Sequence, residues 1–206
     1  MDRILYDSRD CPYGMKVRIV LAEKELEYDL VLVDLKAGQQ RMADFLKLNP
    51  FGKVPVLADA DTVIYDSRII NEYLNEEYPG AMPLLPDDSS ERARVRLLED
   101  YADVAFTLPA MAIERELEKP SEERDQTKLS TAQDVVRKGL AMLERELDGR
   151  EYLGGAFTMA DVAFAPTVLQ LDKLGIRVEP SQTNLKSWIN RLTARPSIGA
   201  VLKAVA

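Results

Sequence analysis

The apolar positions of this chain change period as it is read. Residues 3–6, Arg-Ile-Leu-Tyr, make an apolar run of strand length, and polar turn formers fill 7–10. From Pro12, positions Met15, Val17, Ile19, Val20 and Leu21 predict an amphipathic helix ending near Glu25. Residues 28–33 return to a β-branched, apolar composition and predict a second strand. A strand, a helix and a strand in that order make a right-handed crossover between parallel strands. Residues 39–48 carry a helical pattern that Asn49-Pro50-Phe51-Gly52 ends with turn chemistry. Two short apolar runs, 54–57 and 62–65, are then joined by Ala58-Asp59-Ala60-Asp61 and predict an antiparallel hairpin. Residues 67–77 are helical, with Ile69, Ile70, Tyr73 and Leu74 on one face and Asp66 or Ser67 as the N-cap.

Periodicity fails at YPGAMPLLPDDSS, which holds three of the chain's eleven prolines and predicts a domain boundary. Beyond it the pattern is helical throughout: 91–117, 121–147, 158–174 and two shorter pieces. The predicted organisation is an α/β domain over 1–78 (βαβ-α-ββα), a linker over 79–90 and an all-α domain over 91–206. Within the helical half, Thr158-Met159-Ala160-Asp161 has capping-box spacing, with Phe157 and Val162 at the staple positions. It is read as a structural element.

Composition narrows the function. Asp and Glu outnumber Lys and Arg 35 to 27, which disfavours nucleic acid as a partner. No apolar run has the length of a membrane span and the start lacks a secretory pattern, so a cytoplasmic protein is expected. With one cysteine and no histidine, the chain lacks the Cys-His and Ser-His nucleophile pairs, the usual zinc ligand sets and a histidine base.

The one thiol therefore draws attention. Cys11 followed by Pro12 places sulfur at a helix N-cap, with proline at the first helical position. First-turn N–H groups and the helix dipole favour a thiolate, so the thiol pKa is expected to fall towards neutrality. An inert buried cysteine is the competing expectation, because free cysteine is among the most buried residue types. Two other features bear on the choice. Val54-Pro55 at the start of the hairpin is a plausible cis bond, and Asp66-Ser67 offers a hydroxyl and helix N-terminal N–H groups to a carboxylate.

Together, Cys-Pro-Tyr-Gly after the first strand, Val54-Pro55, Asp66-Ser67 before the third helix and Thr-x-x-Asp in a helical second half resemble the glutathione transferase superfamily, cysteine-type (omega- or beta-like). The resemblance spans essentially the whole chain and implies a thioredoxin-like first domain. The tetrad is also similar to a glutaredoxin site whose second cysteine is Gly14, which implies a one-thiol mechanism. By resemblance, Cys11 bonds to or activates the glutathione sulfur, and the Val54 backbone pairs with the cysteinyl part beside cis-Pro55. Ser67 takes the γ-glutamyl carboxylate, Asp66 its ammonium, and Lys53 stands where it meets the glycyl carboxylate. Tyr6 and Ser8, residue types that other members use to activate glutathione, lie nearby.

The resemblance implies a glutathione-dependent enzyme with glutathione as co-substrate and no metal. Its expected reactions are thiol transfer, deglutathionylation or conjugation of a small electrophile. It implies a homodimer formed through the Ser67 helix and the helix after Ser90. VRIVLAEK and DSRIINEYL also resemble stringent starvation protein A, which implies an alternative: a regulator that binds RNA polymerase without turnover.

Overall fold

The computed structural model describes residues 3–80 and 82–204. The first unit opens with β1 (Arg3–Asp7), α1 (Pro12–Glu23) and β2 (Asp29–Leu32). After a 3-10 turn at Gln39–Arg41 come α2 (Ala43–Leu48), β3 (Val56–Asp59), β4 (Thr62–Tyr65) and α3 (Ser67–Glu77). The sheet order is β2-β1-β3-β4, with β1 parallel to β2 and antiparallel to β3, and β3 antiparallel to β4. Thus the predicted crossover and hairpin both form, on a mixed thioredoxin-like sheet. The 39–48 helix begins later than its pattern suggests, because Gly38 adopts φ 75° and starts a separate 3-10 turn.

Register explains how the sheet divides its side chains. Tyr6 lies opposite Val56 and Leu5 opposite Leu57, so alternation sends the two pairs to opposite faces. Val56 joins Val33 and Phe45 in a small core cluster, against which Tyr6, Val54 and Tyr65 pack. Tyr6 meets the Phe45 ring edge-on at 6.4 Å between centroids, a packing role. On the other face Leu5 and Leu57 are fully buried.

The amphipathic character expected of α1 is absent. Residues Gly14 to Leu21 are all buried, including Lys16 and Arg18. α1 is covered by α3 and also by the far end of the chain. Pro196–Ala204 forms a last helix, α9, which packs on α1, and the Ser197 hydroxyl donates to the Glu23 carboxylate. The compact units are accordingly Met1–Pro83 with Pro196–Ala206, and Leu84–Arg195. The last helix thus groups with the first unit and not with the helices of the second.

In the second unit, α4 (Ser89–Ala102), a π turn (Asp103–Thr107) and α5 (Leu108–Leu117) replace one continuous helix. Pro109 explains the interruption, since it has no N–H to continue the ladder. The remaining helices are α6 (Gln126–Glu146), α7 (Met159–Val168) and α8 (Thr183–Ala194). Every residue of α7 is buried. Phe164 meets Phe106 edge-on at 4.9 Å and Trp188 at 6.5 Å.

Asp161 is the polar centre of that core. Its two oxygens accept from the Thr158 N–H at 2.9 Å and hydroxyl at 3.2 Å, from the Leu153 N–H at 3.1 Å and from Trp188 Nε1 at 2.8 Å. Burial pushes its pKa up to about 6, although all four donors act against the rise. The predicted cap is therefore also the anchor of α8 and of the loop at Leu153.

Candidate functional site

Strand register brings the sequence candidates to one edge of the first unit's sheet. Asp7 pairs with Leu32, Tyr6 with Val56, and Val56 with Tyr65. The carboxyl ends of β1 and β4 and the amino end of β3 therefore coincide. Cys11 follows the first, Asp66 and Ser67 follow the second, and Lys53, Val54 and Pro55 precede the third.

Each position has a local cause. Cys11 is the N-cap of α1, half-buried, with Pro12 at the first helical position. Its N–H donates to the Ser8 carbonyl at 3.1 Å, and its carbonyl accepts from the Met15 N–H at 2.9 Å. The Val54-Pro55 bond is cis. Before it, the buried Asn49 organises the loop: its Nδ2 donates to the Lys53 carbonyl at 2.7 Å and its Oδ1 accepts from the Phe51 N–H at 3.0 Å. Sequence pattern read Asn49 only as a turn residue, though an Asx-type side chain ahead of Pro-Phe-Gly is the signal for such a brace. Lys53 itself is exposed.

Asp66 is the N-cap of α3, accepting from the Arg68 N–H at 3.0 Å. It holds φ 75° and ψ 122°, a costly conformation for a residue with a Cβ. Ser67 begins α3 and is buried, at the positive end of the helix dipole. Both stand on the same edge as the thiol.

The thiol does not have the acidity expected of it. Burial, and then the negative charge of Asp7, push its pKa up to about 11. The Gly14 and Tyr13 N–H groups and Arg18 oppose the rise without reversing it. The helix-start effect is present but loses to desolvation, so Cys11 rests as a thiol. Asp7, the missed member of the site, is 1% exposed and faces Arg18 Nε at 3.2 Å. No spacing rule links a strand-end aspartate to a cap four residues later.

Gly14 also has a cause that the sequence hid. A Cβ there would stand 1.8 Å and 2.0 Å from the two Asp7 oxygens. Trp188 and Met15 are buried. No group of three or more His, Cys, Asp or Glu residues suited to a metal occurs among the described residues. Nor, among them, is any helix long and apolar enough to cross a membrane.

Residues 10–77 match the family described as "Glutathione S-transferase, N-terminal domain", and 102–196 match "Glutathione S-transferase, C-terminal domain". The chain is similar to Glutathione S-transferase GstB of Escherichia coli, 32% identical over 91% of each chain. It is also similar to a stringent starvation protein A homolog of Coxiella burnetii, 34% identical over 82% of this chain and 75% of that one. A solved structure described as Ure2p in complex with glutathione shares the fold, with a TM-score of 0.88 and 24% identity over 98% of this chain and 94% of that one.

Proposed function

The chain belongs to the glutathione S-transferase family, and on that premise we propose that it is a glutathione-dependent transferase in which Cys11 meets the glutathione sulfur. The observation that carries the reading is the single sheet edge that gathers Cys11, the backbone at Val54 and the Asp66-Ser67 corner. A γ-glutamyl carboxylate suits the Ser67 hydroxyl and N–H, its ammonium suits Asp66, and the glycyl carboxylate suits Lys53. The Val54 backbone beside Pro55 offers the cysteinyl amide a strand-like partner. Glutathione is then a co-substrate, used in the cytoplasm on a mixed disulfide or a small electrophile.

Two roles are open to the sulfur. In thiol transfer, Cys11 attacks a mixed disulfide, keeps the glutathionyl sulfur and releases the other thiol. The high pKa favours a second role, in which the protonated Sγ donates a hydrogen bond to a glutathione thiolate that attacks the electrophile. Incubation with glutathione disulfide followed by mass spectrometry is expected to show one glutathione on Cys11 and none on Cys11→Ala. Absence of the adduct, with transferase turnover unchanged in Cys11→Ala, would remove Cys11 from the chemistry. Cys11→Ser separates the roles: it abolishes thiol transfer but keeps a hydroxyl donor, and so retains conjugation under the second role.

The stringent starvation protein A reading rests on the Coxiella relative. Recovery of RNA polymerase with the protein, together with unaltered function in Cys11→Ser, would favour that binding role over turnover.

We also propose a homodimer formed through α3 and α4. Ile69 on α3 and Leu97 on α4 are 57% and 68% exposed and supply apolar side chains to such an interface. Ile69→Asp with Leu97→Asp is expected to shift the species seen by light scattering from two chains to one. A wild-type protein already of one-chain mass at micromolar concentration would exclude the dimer.

A further inference from the structure

Behind Cys11 lies a charged group to which the glutathione reading gives no role. The Asp7 carboxylate closes β1 and is lodged under the first turn of α1, against Gly14. It is 1% exposed, and neither oxygen makes a hydrogen bond of ordinary geometry. Its ion-pair partner is Arg18 at 3.2 Å, itself 2% exposed, whose Nη2 is engaged by the Arg9 carbonyl at 3.2 Å. Burial pushes the Asp7 pKa up to about 7, with Arg18 and the Ser8 N–H opposing. The titratable groups coupled to it are Arg18 on α1, Cys11 at the N-cap of that helix and Tyr28 ahead of β2.

We infer that Asp7 is a positioning residue for the chemistry of Cys11: its buried carboxylate, under the turn that Cys11 caps, decides how readily the sulfur gives up its proton. When Asp7 is ionised, a second negative charge on Cys11 must form beside it with little water to screen the pair. When Asp7 is protonated, that opposition vanishes and the Arg18 guanidinium, left uncompensated, attracts the thiolate. The two groups therefore titrate as a coupled pair rather than independently.

Alkylation by iodoacetamide reads this coupling without glutathione. The Cys11 proton goes to buffer, the thiolate sulfur bonds to the reagent carbon, and iodide leaves. On a logarithmic scale the wild-type rate is expected to rise with pH, flatten near pH 7 as Asp7 ionises, and then rise again. Asp7→Asn is expected to lose the flattening and to react roughly tenfold faster than wild type at pH 8. At pH 5.5, where Asp7 is already neutral, the two proteins are expected to react alike.

That last comparison separates charge from damage, since a disordered variant would react faster at both pH values. A wild-type profile that climbs with unit slope straight through pH 7 overturns the inference, whether or not the variant folds. So does an Asp7→Asn rate raised equally at pH 5.5 and pH 8. The importance of Asp7 for turnover rests on the glutathione reading of Cys11. A flattened profile with no glutathione adduct would sink that reading and leave the coupling standing.

Discussion

Asp161→Ala is expected to remove most of the stability of the second unit. The substitution deletes one buried carboxylate and leaves the Leu153 and Thr158 N–H groups and Trp188 Nε1 without their acceptor. Each unsatisfied buried donor costs about 1–3 kcal/mol, so the three together cost about 3–9 kcal/mol against a typical total of 5–15. The urea midpoint should fall accordingly, and a loss under about 1 kcal/mol would show the carboxylate to be dispensable. An isolated capping box is worth only about 1 kcal/mol; the excess comes from Leu153 and Trp188, which the box motif does not include.

The same residue gives a pH signature. Its folded pKa, about 6, lies above that of an unfolded aspartate, so its ionisation opposes folding. Its contribution is fully favourable below about pH 4 and is lost as pH rises through about 6. Asp161→Asn should remove this component, so the stability difference between wild type and variant narrows from pH 4 to pH 7.

Gly14→Cys, which rebuilds a two-cysteine tetrad on paper, is expected to destabilise the protein rather than create a dithiol site. Any Cβ at position 14 overlaps the Asp7 carboxylate, which is buried and cannot swing into solvent. Displacing Asp7 breaks its pairing with Arg18, and disrupting a buried ion pair costs about 3–5 kcal/mol. Gly14→Ala isolates the steric cost, and its thermal midpoint should fall by many degrees. An unchanged midpoint in Gly14→Ala, or a disulfide between Cys11 and the introduced thiol in a stable Gly14→Cys protein, would show that Asp7 yields easily.

These cases mark how far the linear pattern reaches. The α3 boundaries, a cap at Asp66 or Ser67, the hairpin and the parallel crossover were all legible, because each depends on neighbours within a few residues. So was the grouping of Cys11, Val54-Pro55 and Asp66-Ser67, although only as a resemblance. Strand register supplies the physical reason: it puts two strand ends and one strand start on a single edge. The helical reading of 91–117 holds, but the π turn at Asp103–Thr107 escapes it, because helical periodicity passes smoothly over Pro109 while the α-type hydrogen-bond ladder does not.

By itself, then, the sequence determined the elements, the one available thiol and the absence of a histidine to activate it. Tertiary structure decided what that thiol is. α3 and α9 pack on α1, Asp7 and Arg18 are buried, and a sulfur at a helix start ends up beside a buried negative charge. Local dipoles are set by neighbours in the chain, but desolvation and charge coupling are set by whatever folds against them. At Cys11 the second pair of effects outweighs the first.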